Sequence, residues 1–80
     1  MSQGNGATLS LDGYAVVGLA YEQLTGTFSA GDRIPVTSVK HVIDDLITTF
    51  ELPDTSSPAI MREMETQGLL KRDQREYRLR

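Results

Sequence analysis

The sequence predicts an α+β domain in which three helices precede a C-terminal β-hairpin. Three observations carry that expectation. Apolar residues recur at spacings of three and four through separate segments, the period of an amphipathic helix. Proline and glycine fall between those segments, where helices stop and start. The last four residues, Tyr77-Arg78-Leu79-Arg80, alternate apolar and charged, the period of a strand with one buried face.

Residues 1–9 are rich in glycine and polar side chains and read as a flexible tail, with residues 10–80 as one domain. Ser10 is placed to cap the first helix, and Asp12 sits in its first turn, where the macrodipole favours an acid. Tyr14, Val17, Tyr21, Leu24 and Phe28 form one stripe along it, and Gly26 supplies the expected stop. Val16, Leu19 and Ala20 lie off that stripe, so the helix is apolar around more of its circumference than a lone surface helix. Either neighbouring elements wrap it or it contributes to a homodimer contact.

Ser29–Arg33 reads as a turn, and Ile34-Pro35-Val36 as a short extended stretch, because a proline pushes the residue before it towards β geometry. Thr37 is the expected cap of a second helix reaching about Phe50. On it Val39, Val42, Ile43, Leu46, Ile47 and Phe50 share one face, opposite Lys40, His41, Asp44, Asp45 and Thr48. Pro53 breaks the chain. Ser57 followed by Pro58 reads as a cap with proline at the first helical position, where its missing N–H costs nothing. The third helix then runs to about Gln67, with Gly68 just past its end. Ile60, Met61 and Met64 are its expected buried residues, while Ala59, Arg62 and Thr66 point away. Two strands, 69–72 and 77–80, flank Asp73–Glu76.

Composition narrows the function. Eighty residues suffice for one small domain, which buries only a little over about 60% of its unfolded surface and gains from a partner subunit. The absence of cysteine excludes disulfides, thiolate metal sites and thiol nucleophiles. No apolar run approaches the roughly 20 residues that span a bilayer, and Met1–Ser10 is unlike a signal peptide, so the expected location is the cytoplasm.

The net charge of −3 is unevenly distributed. Six of the eight Lys and Arg residues lie in Met61–Arg80 against four acids, whereas residues 1–60 hold two cations against seven acids. Such a chain either presents one basic face to a polyanion or carries the acidic surface of a protein adapted to high salt. Six arginines against two lysines lean slightly towards the latter.

Met61-Arg62-Glu63-Met64 followed by Gln67-Gly68-Leu69-Leu70-Lys71-Arg72 resembles the junction between recognition helix and wing in winged helix-turn-helix DNA-binding domains. The resemblance covers about residues 11–80. It implies a winged helix-turn-helix fold and a small homodimeric transcriptional regulator that binds double-stranded DNA. The third helix would approach the major groove through Ala59, Arg62 and Thr66, with Arg62 able to hold a guanine edge. Lys71, Arg72, Arg75 and Arg78 of the hairpin would rest on phosphates. Three features depart from the pattern. Pro58 delays the third helix, Ser57 stands where the family more often places an apolar residue, and Asp44 and Asp45 would repel a nearby phosphate.

Other readings compete. Charged residues also protect exposed strand edges, and Arg62 can pair with Glu65 on its own helix. A winged-helix module that contacts a protein partner and binds no DNA is the main rival. No enzyme is expected. The single histidine, His41, is placed to pair with Asp45 one turn on. Asp44 and Asp45 diverge by about 100° on a helix, too far for a paired acid and base. Neither a metal set nor a phosphate-cradling glycine loop is present, so no cofactor is expected.

Overall fold

A computed structural model describes residues 10–80; the tail predicted for residues 1–9 lies outside the described residues. The elements follow in the order α1 (Leu11–Thr27), β1 (Arg33–Pro35), α2 (Val36–Thr49), α3 (Ser57–Thr66), β2 (Leu70–Asp73) and β3 (Glu76–Leu79). The three helices pack on one another, and a three-stranded antiparallel sheet of order β1-β3-β2 closes one side of the core.

Ser10 caps α1 as expected, its Oγ accepting from the Gly13 N–H at 3.1 Å. The buried face is rotated from the predicted stripe. Gly13, Val16, Val17, Ala20 and Leu24 are buried, whereas Tyr21 and Phe28 are half-buried and Tyr14 is exposed. Small side chains take part of the buried face, and the aromatics Tyr21 and Phe28 are left at its margins. Gly26 does not stop the helix. It keeps ordinary helical backbone, and α1 ends at Phe28, whose extended backbone turns the chain away while its N–H still donates to the Leu24 carbonyl at 2.7 Å.

Gly31 adopts a φ of 90°, and the Asp32 carboxylate accepts from the Ser29 N–H at 2.8 Å, closing a turn that leads into β1. The extended stretch is Arg33–Pro35, one residue earlier than expected. Val36 already opens α2, so Thr37 lies inside the first turn and is not its cap. The N–H of Val36 instead donates to the carbonyl of Arg75, a hairpin residue, at 3.0 Å. A distant segment of chain thus takes the place of a side-chain cap.

Along α2, Val39, Ile43 and Leu46 are buried and Val42 and Ile47 half-buried, as the spacing predicts. Phe50 is not buried: it is 52% exposed. The helix ends in a Schellman turn, with Glu51 at a φ of 52° and the Leu52 N–H donating back to Ile47 at 3.1 Å. That reversal returns Leu52 to the edge of the core and leaves Phe50 outside.

Ser56, not Ser57, caps α3, accepting from the Ala59 N–H at 3.4 Å. Ser57 is buried beneath α2 and belongs to the interior. Ile60, Met61 and Met64 are buried as predicted. The C-terminus of α3 repeats the Schellman pattern, now with glycine. Gly68 takes a φ of 77°, its N–H donates to Glu65 at 3.0 Å, and Leu69 N–H donates to Met64 at 2.9 Å.

The hairpin turn is two residues long, Gln74-Arg75, with Gln74 at a φ of 59°. The strands begin and end one residue away from the expected limits. The larger difference is β1, which pairs with β3 so that β3 is central. Ile34, Leu70, Tyr77 and Leu79 form the helix-facing side of the sheet, all at most 2% exposed.

Candidate nucleic-acid interface

The seven residues expected to contact DNA do not share one face. On α3, Arg62 and Thr66 are exposed and Ala59 is half-buried. The Thr66 hydroxyl donates to the Arg62 carbonyl at 3.0 Å, a bond internal to the helix. Glu63 accepts from the Gln67 side chain at 2.9 Å, and Glu65 accepts from the Tyr77 hydroxyl at 2.7 Å. The single cation on this helix therefore stands among two carboxylates, and the exposed face of α3 has no positive excess.

The hairpin cations divide by the pleat, because successive side chains on a strand point to opposite faces. Arg72 pairs in register with Tyr77 on the helix-facing side. Its guanidinium carbon lies 5.4 Å from the centre of the Tyr77 ring, a cation–π contact, and its Nε donates to the Gln74 carbonyl. Arg72 thus braces the turn. Arg75 sits in the turn itself, with its carbonyl holding the first residue of α2.

Lys71 and Arg78 lie on the outer face of the sheet, opposite one another across β2 and β3. Arg33 of β1 completes the row, standing opposite Arg78 from the other side. Arg80 follows Arg78 by two residues and projects to the same face. Next along the strands towards the turn come Pro35, Glu76 and Asp73. Arg33 reaches Glu76 at 4.0 Å, and both side chains are partly solvated. Neither Lys71 nor Arg78 has a carboxylate within 4.0 Å among the described residues.

Arg33 and Arg80 were not among the expected contacts. The strand alternation already placed Arg80 beside Arg78. Nothing local pointed to Arg33, because its place in the row depends on β1 pairing with β3.

The second helix carries the opposite sign. Lys40 pairs with Asp44 at 2.7 Å, and His41 with Asp45 at 3.6 Å. The Asp44 carboxyl is held below its ordinary range first by the Lys40 hydrogen bond, against the opposing effect of burial, with the Ser57 hydroxyl and the charges of Lys40 and His41 assisting. No group of three or more His, Cys, Asp or Glu among the described residues is arranged to hold a metal ion. Nor is any helix among them long and apolar enough to cross a membrane.

A separate apolar surface lies on α1. Leu11, Tyr14 and Leu19 are 88%, 40% and 38% exposed, and Leu19 lines a groove with Ala15, Phe50 and Leu52. The arrangement defines an α+β domain with a cationic sheet face, a nearly neutral α3 and an apolar α1 groove. No family model, curated protein or solved structure matches the chain.

Proposed function

We propose that this chain is a winged-helix domain that binds duplex DNA and acts as a transcriptional regulator, with α3 and the β2–β3 hairpin as its contacting elements. The observation that carries the reading is the junction at Gly68. It feeds α3 directly into a hairpin whose exposed cations, Lys71, Arg75 and Arg78, have no carboxylate partner within 4.0 Å among the described residues. The order of helices and the addition of β1 to the hairpin support the same layout. Arg62 is the one exposed cation on α3, so it is the residue proposed to read a base edge, whereas the hairpin cations position the domain on phosphates.

Duplex binding measured across a salt titration tests this directly. Affinity is expected to fall linearly on a log–log plot with a slope of about −0.9 per phosphate contacted. Arg62→Ala is expected to alter sequence preference, and Arg75→Ala only strength. Absence of duplex binding at low salt would leave the rival reading, a winged-helix module for protein contact.

The exposed α1 groove favours a second element of the proposal, a homodimer. Exposed apolar side chains clustered in one groove gain by removal from water, at roughly 25 cal/mol per Å². Sedimentation velocity is expected to show a dimer that Leu19→Lys converts to monomer. A monomeric wild-type chain at high micromolar concentration would remove the dimer from the proposal.

A further inference from the structure

The central strand of a sheet is an expensive place for unpaired like charges. Directly opposed side chains sit about 5 Å apart, and like charges at that separation repel. Yet Arg78, on the central strand β3, faces Arg33 on one side and Lys71 on the other. Protection of an exposed edge explains cations on outer strands, but not one on the strand between them. All three are exposed, and they stand on a chain whose net charge is −3. Arg80 extends the patch along β3, about 7 Å further on at two residues of strand rise. The neighbouring acids lie to one side: Glu76 and Asp73 form the next row towards the turn, and Asp32 is engaged by the Ser29 N–H.

We infer that the outer face of the sheet is a phosphate-binding surface, with Arg78 at its centre and Arg33, Lys71 and Arg80 around it, and that its occupant is the sugar–phosphate backbone of duplex DNA. The inference rests on the duplex-binding reading above and adds Arg33 and Arg80 to the hairpin cations, placing the main electrostatic contact on the side of the sheet away from the helices. Charge complementarity selects a polyanion. The side chains of this face, Arg33, Pro35, Lys71, Asp73, Glu76 and Arg78, include no aromatic ring on which an unpaired base could stack, which is what single-strand binders supply. Glu76, 4.0 Å from Arg33, offsets part of the repulsion at one end of the row, and an anion between the three cations offsets the remainder at Arg78 and Lys71.

This arrangement makes an unusual result expected for Arg78→Glu. The substitution turns two repulsive cross-strand neighbours into attractive ones, so the melting temperature should hold or rise. Duplex affinity at low salt should nevertheless fall about tenfold or more, because the central contact is replaced by a repulsive charge. A second variant, Arg33→Gln with Lys71→Gln and Arg78→Gln, should flatten the salt slope by about 2.7, three contacts at 0.9 each. Arg62→Ala should change that slope by no more than about 0.9. The probe is a random-sequence 20-base-pair duplex, titrated at several salt concentrations against the full chain. If the wild type binds and both sheet variants bind equally well, the sheet-face inference is overturned while the duplex reading stands. If the wild type fails to bind even at low salt, the duplex reading falls and takes the inference with it.

Discussion

Ile34→Ala is expected to destabilise the domain by about 2–5 kcal/mol, the range for removing a fully buried branched side chain from a packed core. Ile34 is completely buried and is the only inward-facing residue of a three-residue strand. Stability for a chain of this size is on the order of 4–12 kcal/mol, so the loss is a large share of the whole. The effect also reaches the cationic row. β1 carries no other buried residue, and with Ile34 truncated the strand has only its pairing to β3 to hold Arg33 beside Arg78. Urea denaturation followed by circular dichroism measures the change, with the midpoint expected to drop at unchanged slope. A cost below about 1 kcal/mol would mean that β1 is not packed against the helices as described.

Tyr77 supplies the second large effect. Its ring is buried in the central strand, and its hydroxyl donates to Glu65 of α3 at 2.7 Å. Tyr77→Ala should cost about 3–5 kcal/mol, as for other buried aromatic truncations. Tyr77→Phe keeps the ring and removes only the bond to a carboxylate, and should cost about 1–2 kcal/mol, reduced because Glu65 is solvent-exposed. The two variants separate packing from hydrogen bonding.

The same hydroxyl predicts a pH dependence. Burial pushes its pKa above the ordinary 10.0, and the hydrogen bond to Glu65 pushes the same way, against the opposing pull of Arg72. Its folded pKa thus exceeds its unfolded one, so the stabilisation is fully present below pH 10 and is lost as pH rises through the folded value. Melting temperatures between pH 8 and about 11 should therefore fall more steeply for the wild type than for Tyr77→Phe. Parallel alkaline profiles for the two would show that Tyr77 does not carry this dependence.

Much of the fold was legible because local physics dictates it. The firm periodicity of Val39, Ile43 and Leu46 placed α2, and Gly68 marked the end of α3, where only a residue tolerant of positive φ fits easily. Other ends were illegible. Glu51 takes the same left-handed role after α2 without a glycine to announce it, and so Phe50 was expected inside when it lies outside. Gly26 misled in the opposite direction, since a glycine permits a turn without requiring one. The cap of α2 could not be read locally at all, because its first N–H is satisfied by Arg75, 39 positions away.

The candidate site divides in the same way. Alternation along Tyr77–Arg80 already separated buried from charged faces, and the concentration of cations in Met61–Arg80 was visible in composition. What the chain order concealed was which strand is central. Pairing of β1 with β3 brings Arg33 to Arg78 across 45 residues, while the β2–β3 register sets Arg72 on the other side, onto Tyr77. By itself the sequence determined three helices, a terminal hairpin and the buried positions of α2, α3 and β3 apart from Phe50 and Ser57, because those follow from periods of 3.6 and 2 within short windows. Only the tertiary structure decided that Arg33 joins Arg78 and Lys71 in one row on the outer sheet face, because cross-strand register is a property of the folded sheet and not of any one segment.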